Sequence, residues 1–390
     1  MIYNNYYFRD FLSRTKHLSE NAKFDSIIKD VVDIDSIMDY DIFKKYVKNN
    51  IKPYANGKKI VRYEFGDEGL FYGQRNALFA YAKIETNEQR FILPAFEHGP
   101  DLRENVNQII KNQMNHSFVF SSNYKKKIVH KDRPLAPVFD VGPYVLYADG
   151  YYNDNTFRKI KSNYGKIALL FPAHSFEGAS VKFDKQQFVC NVMNKFRDSY
   201  DTVFVSVYWN DVDDSVYELF EKEGAKLVSA GFRGDPNFIY RLREMIDLSD
   251  VVASNMIGSY IGYAIALNKP FFMFEDSAEL KSVEHSDDDK NDKYTKLQND
   301  IKYAFSCLEP NDKQIQLQEK IYTKFWGGKQ AHKTVEEIKN IITLSQKLLK
   351  NSYGTTGGYE KVINKALKHD FELTEDEFSM LLYSLDKKEG

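Results

Sequence analysis

Short apolar runs alternate with longer amphipathic stretches between residues 166 and 274. An apolar run of about four to eight residues bounded by turn residues is typical of a strand that is buried in a parallel sheet. Such runs are found at 166–172, 202–208, 226–230, 251–254 and 270–274. Apolar residues recur at helical spacing in the stretches 183–199, 216–223, 236–248 and 259–267. This alternation of strand and helix predicts a doubly wound α/β domain.

The first 150 residues show the same alternation, but their apolar runs are less clearly separated from the stretches between them. Strand-like runs are found at 59–65, 91–96, 117–121 and 137–148, after a helical stretch over 1–55. Residues 149–165 are rich in Asp, Asn, Tyr and Gly and are predicted to be a linker, and the charged stretch 275–294 is predicted to be a surface loop. The sequence therefore predicts two Rossmann-like α/β domains with a helical N-terminal extension and a helical C-terminal tail. The predicted boundaries are 1–150, 165–345 and 346–390.

The bulk composition is that of a globular protein. The 390 residues are 43% hydrophobic and 28% charged with a formal net charge of −2, which excludes a disordered chain and gives no general attraction for nucleic acid. The two cysteines, Cys190 and Cys307, are far apart in sequence, which argues against a disulfide framework. The N-terminal segment lacks the apolar core of a signal peptide, so a cytoplasmic protein is expected.

Two segments bear on membrane association. The uncharged stretch 251–268 is about long enough to span a bilayer, but its serines and glycines favour a strand, a turn and a helix. A basic cluster follows the strand-like run at 117–121 and consists of Lys125, Lys126, Lys127, His130, Lys131 and Arg133. It is predicted to be a solvated face, with peripheral contact at the inner face of the cell membrane as the alternative.

Ligand-binding residues are expected in the loops that follow the predicted strands, because ligands of open parallel sheets bind beyond the carboxyl ends of the strands. Ser254, Asn255, Gly258 and Ser259 precede a predicted helix. The N–H groups at a helix start and the helix dipole attract anions, so this loop is predicted to bind phosphate. An ordinary helix cap is the alternative.

Two further loops of the same domain carry polar candidates. His174 and Ser175 follow the first strand and can donate hydrogen bonds to a phosphate, with a structural loop histidine as the alternative. Arg233 and Asn237 follow the third strand and are candidates for holding a base or ribose, with a solvated turn as the alternative. All of these residues are predicted to bind a substrate, and no metal ligand is predicted.

Candidate proton acceptors lie in the first domain. Glu97 and His98 follow a strand-like run, and histidine titrates near neutral pH while a carboxylate can orient it or replace it. Asp67 and Glu68 form a second acidic loop, for which a simple turn is the alternative. We expect Glu97 or His98, rather than the acidic loop, to act as the base, although a structural histidine would give the same pattern.

The sequence contains no P-loop, HExxH, CxxC or G-x-S-x-G motif, which argues against NTPases, zinc proteases and serine hydrolases. Residues 235–274 resemble the donor-binding region of glycosyltransferases with the GT-B fold. The similar features are Ser249-Asp250 before a strand, the turn at 254–259 and Lys269-Pro270 before the next strand. The loops at 169–175 and 94–100 are similar in placement to those of bacterial enzymes that build capsule, teichoic acid or sialylated glycans.

The resemblance implies a metal-independent glycosyltransferase of bacterial surface-polysaccharide synthesis. It implies a nucleotide-sugar donor as co-substrate, no other cofactor, and a glycan or lipid-linked glycan as acceptor. Two alternatives stay open, because a fold alone does not name a reaction. One is a nucleotide-sugar epimerase or hydrolase of the same fold, and the other is a non-catalytic sugar-binding protein. The donor nucleotide, the acceptor and the stereochemical outcome also stay open.

Overall fold

A computed structural model shows the chain as a mixed α/β protein with parallel sheets, as the sequence predicts. The structure describes residues 15–55, 68–84, 94–97, 99, 102, 117–175, 179–275, 279–282, 292–352 and 358–386. The arrangement as two Rossmann-like domains of the GT-B type stays a prediction.

The strands of the described residues form three sheets. They are β1 (Ala95–Phe96), β2 (Phe118–Phe120), β3 (Val138–Asp140), β4 (Ile167–Phe171), β5 (Ala179–Lys182), β6 (Thr202–Ser206), β7 (Lys226–Val228), β8 (Val251–Ser254), β9 (Phe271–Met273) and β10 (Glu279–Ser282). One sheet is parallel with the order β1-β2-β3, and a second is parallel with the order β7-β6-β4-β8-β9. β5 and β10 pair with each other antiparallel.

Helices connect most of these strands. The helices of the described residues are α1 (Leu18–Val31), α2 (Tyr40–Tyr46), α3 (Lys52–Ala55), α4 (Gln74–Tyr81), α5 (Lys126–Asp132), α6 (Asp154–Tyr164), α7 (Lys185–Phe196), α8 (Ser215–Lys222), α9 (Phe238–Leu248), α10 (Tyr260–Ala266), α11 (Asp292–Ala304), α12 (Asp312–Trp326), α13 (Val335–Ser352), α14 (Gly358–Leu367) and α15 (Glu375–Ser384). A π-helical turn, Val47–Ile51, joins α2 to α3. Short 3₁₀ helices span Glu68–Gly73, Asn123–Lys125, Tyr144–Tyr147, Trp209–Asp211 and Lys329–Ala331.

The five-stranded sheet is the centre of the larger hydrophobic core. Every residue of β4 and β8 is buried, as expected for parallel strands that are covered on both faces. Leu169 of β4 pairs with Phe204 of β6 on one side and with Val252 of β8 on the other. Aromatic side chains of α7, including Phe188 and Phe196, pack into the same core. These contacts hold the carboxyl ends of the strands in a fixed order.

The chain forms two compact units. The first unit draws on Met1–Lys23, Arg62–Tyr147 and Thr323–Gly390, and the second draws on Phe24–Val61 and Ala148–Tyr322. The segment that contains most of α1, α2 and α3 thus groups with the five-stranded sheet, although it precedes the first unit's sheet in sequence. The domain boundaries inferred from the sequence stay a prediction.

Two contacts explain why the N-terminal segment groups with the second unit. The Ser36 hydroxyl donates to the Ser229 carbonyl at 2.7 Å, and the Ser229 N–H donates to the Ser36 carbonyl at 3.0 Å. These bonds attach the segment beside the end of β7. The ring of Phe24 in α1 lies 6.3 Å from the ring of Phe232, which follows β7. The pairing therefore joins residues that are far apart in sequence.

The structure differs from the sequence interpretation in three segments. The strand-like run 137–148 is a strand only over Val138–Asp140 and contains the 3₁₀ helix Tyr144–Tyr147. The stretch 149–165, predicted to be a linker, contains the helix α6. Its N-cap is Asn153, whose side-chain oxygen accepts a 3.0 Å bond from the Thr156 N–H and so supplies a helix start. The charged stretch 275–294, predicted to be a loop, contains β10, which pairs with β5. In the residues that the structure describes, no helix has the length and apolar character needed to cross a membrane.

Candidate functional site

The strand order of the five-stranded sheet locates a candidate binding site. β4 lies in the middle; β6 and then β7 lie on one side of it, and β8 and then β9 lie on the other. The chain therefore reverses its direction of growth between β4 and β8. In doubly wound sheets, ligands bind beyond the carboxyl ends of the strands at this reversal. The loops that follow β4 and β8 are the candidate site.

A side chain joins these two loops. Asn255 directly follows β8, and its Oδ1 accepts a 2.7 Å hydrogen bond from the N–H of Ala173, which lies two residues after β4. Asn255 is buried. It is therefore placed to hold the shape of the site, and its predicted contact with substrate stays a prediction.

The serine at the end of β8 is engaged within its own turn. Ser254 Oγ accepts a 3.0 Å bond from the Met256 N–H and lies 2.9 Å from both the Met256 carbonyl and the Tyr260 hydroxyl. Ser254 is fully buried. Its hydroxyl therefore closes the turn, and a phosphate contact by this atom would require those bonds to rearrange.

Gly258 and Ser259, further along the same loop, are half-buried. A Cβ at Gly258 would lie 2.5 Å from the Tyr260 ring, so only glycine fits there without a shift. Ser259 is the N-cap of α10, and its side chain makes no capping hydrogen bond. These two residues are the parts of the loop best placed for the predicted phosphate contact, which stays a prediction.

The loop after β4 is tied to the loop after β6 through Asp211. The Ser175 N–H donates to Asp211 Oδ2 at 2.7 Å, and the Ser175 hydroxyl donates to Oδ1 of the same carboxylate. Asn210 Nδ2 donates to Ser175 Oγ at 3.2 Å. The ring of His174 stacks on Tyr208 with the centroids 4.2 Å apart. The loop that carries His174 and Ser175 is thus fixed on both sides.

The Ser175 carbonyl determines which nitrogen of the neutral His174 ring carries the proton. Nδ1 lies 3.0 Å from the Ser175 carbonyl oxygen, and a carbonyl oxygen only accepts, so we assign the proton of the neutral ring to Nδ1. Burial lowers the pKa of the imidazole, while the Ser175 carbonyl and Asp211 act in the opposite direction. The neutral ring therefore presents Nε2 as an acceptor. It can donate from Nε2 to a phosphate oxygen only after it takes up a proton.

Arg233 and Asn237 lie in the loop after β7, which packs on the N-terminal segment. Arg233 is buried, with its guanidinium carbon 5.8 Å from the centre of the Trp209 ring. Asn237 precedes α9; its N–H donates to Asp235 Oδ1 at 2.8 Å and its side chain donates to the Val32 carbonyl at 3.5 Å. The predicted base or ribose contact of these residues stays a prediction.

Glu97 lies at the carboxyl end of β1 in the sheet of the first unit. It is buried, and its Oε1 accepts a hydrogen bond from the Ser121 N–H just after β2. The residue after β2 is also joined to the loop after β3, because the Gly142 N–H donates to the Ser121 carbonyl at 2.8 Å. A buried carboxylate therefore lies at the carboxyl end of a parallel strand. Open parallel sheets in general bind their ligands on this side.

The other candidate bases are less well defined. Asp67 and His98 lie outside the described residues. Glu68 begins the 3₁₀ helix Glu68–Gly73, and its side chain is not among those that the structure describes. Their roles stay predictions.

The basic cluster is not a uniformly exposed face. Lys125 and Lys126 are buried, and Lys126 Nζ donates to the Tyr383 carbonyl at 2.6 Å and to Asp386 at 2.9 Å. The other two lysines of the cluster, Lys127 and Lys131, are exposed. The solvated-face interpretation is therefore wrong for two of its residues, and peripheral membrane contact stays a prediction.

Sequence reasoning missed three residues of the site: Tyr208, Asn210 and Asp211. They follow β6 directly, so the expectation that ligands bind at the carboxyl ends of strands would have selected them. The candidates predicted from the sequence follow β4, β7 and β8, and none follows β6. What the sequence could not show is that the Asp211 carboxylate binds Ser175.

Comparison with known proteins gives weak similarities to solved structures. No known family profile and no curated protein matches this chain. A structure of S. aureus MnaA with UDP is similar over 69% of this chain and 80% of that one, at 11% identity and a TM-score of 0.32. A structure of UDP-GlcNAc 2-epimerase from Neisseria meningitidis with UDP-GlcNAc is similar over 79% of this chain and 81% of that one, at 10% identity and a TM-score of 0.36. Similarities of this size assign no activity to the chain.

Proposed function

We propose that this chain is a glycosyltransferase of the GT-B type that binds a nucleotide-activated sugar at the loops after β4 and β8. The observation that carries the proposal is the reversal of strand order between these two strands, with Asn255 joining their loops. Parallel sheets with this order bind nucleotides at this point.

The proposed donor contacts follow from the loops. His174, Ser175, Gly258 and Ser259 hold the phosphate groups, and the loop with Arg233 and Asn237 holds the base or ribose. Backbone N–H groups, and His174 once it takes up a proton, can stabilise the leaving phosphate group, so the proposed reaction needs no metal ion. Ser254 and Asn255 keep the turn after β8 in shape.

The proposed acceptor is a glycan or lipid-linked glycan of bacterial surface polysaccharide, and the proposed location is the cytoplasm with peripheral contact at the membrane. Glu97 or His98 takes the proton from the acceptor hydroxyl, with Asp67 and Glu68 as the second choice. The support from the structure is the buried Glu97 carboxylate at the end of β1.

Turnover with and without an acceptor tests the proposed activity. The protein is incubated with UDP-, CMP-, GDP- and dTDP-sugars, alone and with a panel of glycan acceptors. A glycosylated product that requires the acceptor is the expected result. Conversion of the donor without any acceptor would identify an epimerase or hydrolase instead. Tight binding of a nucleotide sugar with no turnover across the panel would identify a sugar-binding protein.

Replacing Ser259 with glutamate is expected to weaken nucleotide binding by about tenfold or more, measured by calorimetry. The new carboxylate would compete with phosphate for the N–H groups of this loop and repel its charge. The matched control is Ser215→Glu at the start of α8, a position that is exposed and lies outside the loops after β4 and β8. Equal nucleotide affinity in the folded Ser259 and Ser215 variants would exclude the loop after β8 as the phosphate site.

A further inference from the structure

Ser175 gives both of its hydrogen-bond protons to one carboxylate. Its N–H donates to Asp211 Oδ2 at 2.7 Å, and its hydroxyl donates to Oδ1. A serine residue has one N–H and one O–H, so Asp211 uses both donors. Asn210 Nδ2 donates to one of the two lone pairs of the hydroxyl oxygen at 3.2 Å. In this arrangement Ser175 has no proton left for a ligand.

A carboxylate and a phosphate group compete for such donors because both are anionic oxygen acceptors. We propose that Asp211 is an internal competitor of the phosphate group: its carboxylate holds the Ser175 donors that a nucleotide phosphate would use, and so sets how tightly the site binds phosphate. The inference rests on the proposed nucleotide site. It adds to that site a residue that determines its affinity for charged ligands.

The electrostatics of Asp211 support this competition. Burial raises the pKa of its carboxyl group, while the two bonds from Ser175 and the nearby His174 lower it. The carboxylate therefore depends on Ser175 for part of its stabilisation. A phosphate that takes the Ser175 protons removes that stabilisation and brings a second negative charge to the same place.

Replacing Asp211 with asparagine distinguishes two roles of this residue. One is competition with phosphate for the Ser175 donors, and the other is holding the loop after β4 in shape. The amide oxygen still accepts from the Ser175 N–H, and the amide nitrogen donates to Ser175 Oγ, which leaves the hydroxyl proton available. The substitution also removes the negative charge. If Asp211 competes with phosphate, the variant binds nucleotides more tightly than the wild type. If Asp211 only holds the loop in shape, the variant binds equally well or less well.

Calorimetry with UDP, GDP, dTDP and CMP, each compared with its own nucleoside, measures the effect. We expect Asp211→Asn to bind the preferred nucleotide about tenfold more tightly, with affinity for the uncharged nucleoside unchanged. Ser175→Ala in the Asp211→Asn background should remove most of that gain, because the competition acts through the Ser175 hydroxyl. The matched control is Asp214→Asn, since Asp214 is the N-cap of α8 and asparagine caps equally well.

Each other outcome overturns the inference. Nucleotide binding to the wild type with no gain in folded Asp211→Asn would leave the nucleotide site standing and reject Asp211 as a competitor. A gain that extends to the nucleoside, or that persists without the Ser175 hydroxyl, would show an effect on loop shape. If none of the nucleotides binds any variant, the proposed function itself fails, and the inference fails with it.

Discussion

Replacing Arg241 with methionine is expected to lower the free energy of unfolding by about 3–5 kcal/mol. Arg241 forms a salt bridge with Asp235, and both side chains are 0% exposed. Its Nη2 also donates to the carbonyl oxygens of Val32 at 2.8 Å and Ile34 at 3.0 Å. Removing the guanidinium would leave a buried carboxylate without its cation and would take one donor from each of two carbonyls. The cost is large because buried charges and polar groups lose water that nothing replaces.

Urea unfolding followed by circular dichroism measures this loss. The control is Arg197→Met, because Arg197 pairs with Glu223 on the surface, where the side chains are 54% and 48% exposed. Exposed pairs contribute about 0–1 kcal/mol, so this control should unfold almost like the wild type. Adding Asp235→Leu to Arg241→Met should recover part of the loss, since it removes the unpaired charge. Equal effects of the two arginine substitutions would contradict the importance of the buried pair.

Residues 166–274 could be predicted well because their signal is local. The predicted strand at 251–254 coincides with β8, and the apolar run at 166–172 contains β4. A buried parallel strand requires consecutive apolar residues, and the turn that follows requires glycine or polar residues, so sequence and structure agree over a few residues. The loops that form the candidate site could be identified for the same reason.

Other parts of the fold depend on contacts that no local pattern reveals. The pairing of Ser36 with Ser229 attaches an N-terminal segment to the second unit. The register of β5 and β10, in which Lys182 pairs with Glu279, likewise joins two segments that are polar when read alone. In both cases the hydrogen-bond partners come from distant segments, and such partners are not encoded in the periodicity of one segment.

The helix α6 differs from these cases, because a helical pattern is present in its own sequence. Phe157, Ile160 and Tyr164 lie at helical spacing, and Asn153 provides an N-cap. The composition of residues 149–165, rich in Asp, Asn and Gly, favours a linker, whereas this spacing favours a helix. A cap followed by periodic apolar residues is the better indicator, since composition does not fix the backbone.

The hydrogen-bond partners in the candidate site could not be predicted. The sequence identifies Ser175 and Ser254 as hydroxyls near a phosphate. In the structure, the Ser175 hydroxyl binds Asp211 and the Ser254 hydroxyl closes a turn with Met256. Whether a serine donates to a ligand depends on which neighbour already takes its proton, and only the three-dimensional arrangement decides that.

Replacing Glu97 with glutamine is expected to lower turnover by about a hundredfold or more if Glu97 is the base that accepts the acceptor's proton. The amide has the shape of the carboxylate and its oxygen can still accept from the Ser121 N–H, so the fold should be retained. The amide cannot take up a proton at neutral pH. Nucleotide affinity should change little, because Glu97 belongs to the first unit's sheet and the proposed nucleotide loops follow β4 and β8.

Steady-state kinetics with the donor and acceptor that give turnover, together with calorimetry on the nucleotide, measure both quantities. The matched control is Asp140→Asn, because Asp140 is also a buried carboxylate at the end of a strand of the same sheet, where it accepts a 2.7 Å bond from the Tyr383 hydroxyl. A general effect of removing a buried charge would lower turnover in both variants, whereas loss of the base lowers it in Glu97→Gln alone. Near-normal turnover in Glu97→Gln and His98→Ala, with a large loss in Glu68→Gln, would instead assign the base to the acidic loop at Asp67 and Glu68.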